Sequence, residues 1–235
     1  MRKVQKCLVG LGALTLVLGG VAACSGVQSS ESEKESVRML MIADELIELA
    51  ADDQHYEQMV INNTITGDRE AFFETKDRLM SVRAERCKAI FEEFGYPDYE
   101  LVGKEASDAF WLIVQHNDAN PEFQERVAHA MRGAVERGKA DGSNLAYLMD
   151  RVLINTDRAQ MYGTQLNYVH EEARAIPKEL DDPAGVDARR ASVGLEPLYE
   201  YMNRSSELFF MMNEAQLREN GVTEAFVYEA GFSAW

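Results

Sequence analysis

An oily run breaks off abruptly in WLIVQHNDANPEFQ (residues 111–124). Ala109, Phe110, Trp111, Leu112, Ile113 and Val114 surround the axis of a helix predicted over 105–117, which calls for burial on all sides. Asn120-Pro121 then supplies an N-cap and a first-turn proline for another helix. Gln115, His116 and Asp118 therefore stand at a corner between two helices.

Helical periodicity continues on both sides of that corner. Val37, Leu40, Met41, Leu46, Ile47 and Leu49 predict a first helix reaching about Val60. A second, over 69–94, carries Phe72, Leu79, Cys87, Ile90, Phe91 and Phe94 and stops at Gly95. Residues 121–137 place Phe123, Val127, Met131 and Ala134 on one face, with His129 on the polar face. Another helix starts at Ser143 or Asn144, with Leu145, Leu148, Met149, Val152 and Leu153 at core spacing. Residues 160–176 lack this period and are richer in Tyr, Thr and Val, which predicts a small hairpin turning near His170-Glu171. A short helix over 186–193 follows, and Pro197 opens one more, with Leu198, Tyr201, Met202 and Leu208 inward. The tail from about 204 predicts one or two helices around Gly221. The fold class is mainly α: one helical bundle with a small β element near 160–176.

The N-terminus predicts location. Arg2, Lys3 and Lys6 precede an apolar segment, Leu8 to Gly20, of secretory-signal length and too short to span a bilayer as a helix. It ends in Val21-Ala22-Ala23-Cys24, which resembles the lipobox of bacterial lipoproteins. On this reading residues 1–23 are removed as a signal peptide and Cys24 is acylated, anchoring the protein to the bilayer on the extracytoplasmic side of the cell envelope. Ser25 is not the Asp associated with inner-membrane retention, so an outer-membrane destination stays open in a cell that has one. Residues 24–36 are Ser/Glu-rich and predict a flexible tether, and 37–235 a single domain.

Charge and thiols narrow the partners. Cleavage removes three basic residues and no acid, moving the net charge from −16 to −19. A body this acidic repels nucleic acid and anionic headgroups, so membrane contact should fall to the acyl chain. Cys87 alone would remain unmodified, which excludes an intramolecular disulfide, and its place four residues before Phe91 reads as core.

The usual catalytic signatures are missing: no GxSxG, HExxH, phosphate-cradling glycine loop or CxxC occurs. No cofactor is implied. The four histidines lie in different predicted elements without ligand spacing, which argues against a metal. What remains is scattered polar residues. His116 falls on a buried face, where it either binds a ligand or moves a proton, or is satisfied by a carbonyl with Asp118 as a cap. Asp150 and Arg151, adjacent on one helix, each need a partner elsewhere. Tyr162, Gly163, Thr164 and Gln165 offer uncharged donors and acceptors beside a permissive backbone. Arg189 and Arg190 could pair with acids or hold an anionic group.

In order and spacing, GYPDYELVGKEASDAFWLIVQHNDANPEFQ, AYLMDRVLINTDRAQMYGTQ and DDPAGVDARRASVGLEPLYEY resemble a bacterial family of unknown function, the DUF6624 type. The resemblance covers about 95–201. It implies that Gln115, His116, Asp118, Asp150, Arg151, Tyr162, Gly163, Thr164, Gln165 and Arg190 belong to a shared pattern, and it brings no reaction with it. Three readings follow. The first is a lipoprotein that binds a small polar ligand or a peptide in a pocket around His116. The second is an envelope hydrolase with His116 as general base, oriented by Asp118 or Asp150, and Arg190 or Gln165 polarising the substrate. The third is a structural or protein-partner module in which these side chains form a buried network.

Overall fold

Ser30 opens the first helix through a capping box. Its hydroxyl accepts from Glu33 N at 3.2 Å while Glu33 Oε2 accepts from Ser30 N at 2.7 Å. The helix therefore begins at Glu31, inside the expected tether. Its first turns carry exposed side chains, but a satisfied N-terminus on a helix packed further along is enough to keep them helical. The computed structural model describes residues 30–233 and 235. The expected signal peptide, Cys24 and the first part of the expected tether lie outside the described residues.

Eight α-helices and one two-stranded sheet are found among the described residues. In order they are α1 (Glu31–Ile61), α2 (Arg69–Phe94), α3 (Tyr99–Val102), α4 (Lys104–His116), α5 (Pro121–Glu136), α6 (Gly142–Asn155), β1 (Leu166–Val169), β2 (Arg174–Pro177), α7 (Val186–Ser192) and α8 (Leu198–Glu219). The mainly helical class with one small hairpin is what the residue pattern predicts. The strands run antiparallel from Leu166↔Pro177 to Val169↔Arg174, and the turn at His170–Glu172 closes on Ala173, a left-handed residue with φ 47°.

Two apolar clusters organise these elements. The larger gathers Leu46, Cys87, Phe110, Ile113, Met131 and Leu148 from α1, α2, α4, α5 and α6. Each of its large aliphatic and aromatic side chains contributes about 1.5–3 kcal/mol by leaving water. The smaller packs Ala175, Val186, Leu198, Met202 and Tyr228 between the hairpin, α7, α8 and the C-terminal segment.

Three expectations are corrected. The buried stripe of α1 is Met39, Ile42, Ala43, Leu46, Ala50 and Asp53, so Val37, Leu40 and Met41 face water. On α4, Trp111 and Leu112 are half-buried rather than enclosed, because they border a shallow groove with Ile47, Ala50 and Ala51 of α1. The Trp111 indole is anchored from one side by Nε1 donating to Asn144 O at 2.8 Å. On α8, Leu208 is exposed, the helix is interrupted at Asn213 (φ −119°, ψ 16°), and among the described residues no helix follows Gly221. Aromatic packing of Phe226, Tyr228, Phe232 and Trp235 does the covering there.

Helices α1 and α2 are registered antiparallel by a ladder of opposite charges: Arg38–Glu93, Glu45–Arg86, Asp52 and Asp53 with Arg83, and Glu57–Lys76. Two hydrogen bonds from Arg86, at 2.6 and 2.7 Å, hold the Glu45 carboxyl below its ordinary value of 4.5. A carboxylate with a depressed folded pKa adds stability above its unfolded value, and that stability is lost as the pH falls through the folded value. Glu45→Gln should therefore be less stable than wild type at neutral pH, by under about 1 kcal/mol because the pair is solvent-screened. Melting curves from pH 7 downward should show the gap closing below pH 4.5.

Candidate functional site

His116 is the last residue of α4, and its Nδ1 lies 2.7 Å from Asp53 Oδ2 on α1. The carboxylate is 1% exposed while the imidazole retains 21%. Among the described residues no protein group hydrogen-bonds His116 Nε2. Fixing one ring nitrogen with a buried carboxylate sets the tautomer and leaves the other as a free acceptor. Asp118 and Asp150 are the carboxylates expected beside the ring; the one that holds it is Asp53.

Asp53 is buried because it continues the inward stripe of α1 at Leu46, Ala50 and Asp53. An isolated carboxylate there would be costly, and Arg83 compensates for it. Arg83 is itself 2% exposed, on the α2 stripe with Cys87 and Ile90, and packs over the Tyr56 ring at 5.6 Å. Its Nη1 lies 3.5 Å from Asp53 Oδ1 and its Nη2 bonds Asp52. Charged residues at the periodic positions of an apolar stripe were the available signal for Asp53 and Arg83.

Glu57 completes a cluster in which donor atoms of Asp53, Glu57 and His116 lie within 4.8 Å of one another. These are the residues that could hold a divalent cation. Lys76 already sits 2.7 Å from Glu57 and Arg83 beside Asp53, so a metal ion would have to displace one cation and compete with the other.

Asp118 turns the other way. It receives Arg151 Nη1 at 2.9 and 3.1 Å and Asn155 Nδ2 at 2.9 Å, tying the α4–α5 corner to α6. Gln124, fully buried on α5, donates its amide to Val114 O and Gln115 O and so satisfies carbonyls at the end of α4. Gln115 Oε1, Gln124 Oε1 and Arg151 Nε are buried around this corner without a partner among the described residues. Orphaned polar atoms of this kind mark a place where a water or a ligand group belongs.

The remaining predicted residues converge on a different feature. The fully buried Asp150 accepts from Met161 N at 2.8 Å, Tyr162 N at 3.0 Å, and Thr164 N and Oγ1 at 2.9 and 3.0 Å. Burial pushes its carboxyl up, against the pull of these donors. Gly163 sits at φ 73°, where a Cβ would lie 2.9 Å from Leu198 Cδ1, so the turn needs glycine. Arg190, with no exposed surface, donates Nη1 to Tyr162 O at 2.7 Å and Nε to Glu196 O at 2.6 Å, and packs on the Tyr201 ring. Gln165 Nε2 donates to Thr164 Oγ1 at 3.2 Å. The structure thus brings Asp150, Tyr162, Thr164, Gln165 and Arg190 together, but around the backbone of one turn. His116 is not hydrogen-bonded to any of them. Cys87 is fully buried and its thiol is pushed up by desolvation, a core residue.

The model of a family described as "Family of unknown function (DUF6624)" matches residues 41–212. The match extends past both ends of the 95–201 resemblance and takes in Asp53, Glu57 and Arg83. Comparison with curated proteins and with solved structures found no match.

Asp150→Asn keeps the volume of the side chain but turns an amide toward three backbone N–H groups. Each buried donor left unsatisfied costs about 1–3 kcal/mol, so the variant should lose about 2–4 kcal/mol in urea denaturation. A loss below about 0.5 kcal/mol, the range of ordinary surface substitutions, would contradict the cradle.

Proposed function

The chain belongs to DUF6624, a family of unknown function, and we propose that it is a membrane-anchored extracytoplasmic lipoprotein that binds a small polar ligand or peptide at the His116 corner. One observation carries the reading. A half-buried imidazole is held at 2.7 Å by a buried carboxylate, and among the described residues nothing bonds its second nitrogen. The binding energy of such a site comes from a few placed polar groups on a rigid frame, and here α1, α4 and α5 provide the frame.

The same geometry favours a second reading, proton transfer, because a carboxylate on Nδ1 is also how a general base is oriented. Asp53, rather than Asp118 or Asp150, would then be the orienting residue. Arg190 and Gln165 have no part in either version, since both are committed to the 162–165 turn.

The test is a thermal-shift and calorimetric screen against sugars, cell-wall fragments, nucleotides and peptides. At least one compound should raise the melting temperature of wild type and not of His116→Gln, each shift being measured from that protein's own unliganded melting temperature. Equal shifts in both would remove His116 from the site. Turnover of a hit, lost in His116→Gln while binding persists, would select proton transfer. The anchor has its own test. A palmitate analogue should label wild type and not Cys24→Ser, and only the variant should leave the membrane fraction.

A further inference from the structure

A cavity of about 170 Å³ lies between α5, α6 and the loop that follows, away from the His116 corner. Its floor is apolar: Ala128 and Val152 are buried, and Met149 and Met161 close it with flexible thioether side chains. Its rim is basic. Arg158 is paired with Glu125 at 2.9 Å, which neutralises the one carboxylate in the lining. Arg132 has no carboxylate within 4.0 Å among the described residues; its guanidinium donates to Met149 Sδ, at 3.6 Å. His129 stands one helical turn before it on the same rim.

In a chain with 40 acidic and 24 basic residues, an arginine at the mouth of a cavity and facing a sulfur is a cation without its usual partner. A guanidinium presents a planar fork that matches a carboxylate with two parallel hydrogen bonds. The floor offers nothing for a polar body to bond, and water there is replaced favourably by an apolar group. The volume admits a short chain and little more. We propose that this cavity is a second binding site, for a short aliphatic carboxylate whose head group pairs with Arg132 and whose chain lies on Met149, Val152 and Met161. The site is independent of the His116 reading.

Titration calorimetry with valerate, valeramide and inorganic phosphate on the full chain tests it. Valerate should bind saturably, and both valeramide and phosphate should bind at least about tenfold more weakly, as expected for loss of a charge-assisted pair or of the apolar contact. Arg132→Gln, at an exposed position where the melting temperature should stay within about 1 °C of wild type, should weaken valerate by about tenfold. His116→Gln should not. Equal affinity for valerate and valeramide, an unchanged Arg132→Gln, or phosphate binding as well as valerate would each overturn the proposal. So would the absence of any saturable heat with valerate.

Discussion

The Asp150 carboxylate is the interaction on which the rest of the molecule depends. It projects from the bundle helix α6 and is the acceptor for three backbone N–H groups of one irregular turn, those of Met161, Tyr162 and Thr164. Backbone N–H groups taken out of water must find acceptors. A loop has no ladder to supply them, so one carboxylate with two oxygens does. Arg190 closes the same turn from its carbonyl side. Gln160 ties its two ends, donating to Gln165 O and Lys178 O and accepting from Gln165 N. The helical cluster and the hairpin cluster are thereby joined through polar bonds, where a continuous oil-like interface would have left the loop unsatisfied.

That arrangement explains a composition that would otherwise look careless. Asp53, Arg83, Gln124, Asp150, Gln160 and Arg190 are all buried, yet each has a defined job: pairing a charge, closing a helix end, or feeding a turn. Buried ion pairs are weak sources of net stability but strong sources of register, because breaking one partner strands the other. The α1–α2 ladder uses the acidity of the chain in the same way. Repulsion among α1 carboxylates is relieved by Lys76, Arg83 and Arg86, all presented by α2.

Much of the architecture was legible because periodicity is local. The span of α2 and its glycine stop follow from residues within one turn of its end, and Asn120-Pro121 announces α5. The α1 stripe was misplaced because Val37, Leu40 and Met41 are apolar and exposed; nothing in a single helix says which of two oily faces finds a neighbour. The candidate residues were legible as a set but not as a site. Asp150, Tyr162, Thr164, Gln165 and Arg190 do meet, and Asp118 meets Arg151, yet the partner of His116 is 63 residues away on α1. That pairing depends on how α1 crosses α4, a tertiary fact with no local trace beyond an acid on an apolar stripe.

Cys87 has a practical consequence. It is the only cysteine among the described residues, is fully shielded, and lies where α1, α2 and α4 meet. A thiol so placed reacts with an added reagent only when that junction opens. The protein therefore carries an intrinsic clock for the separation of its helices, needing no introduced label, in the part of the bundle that holds Asp53 against His116.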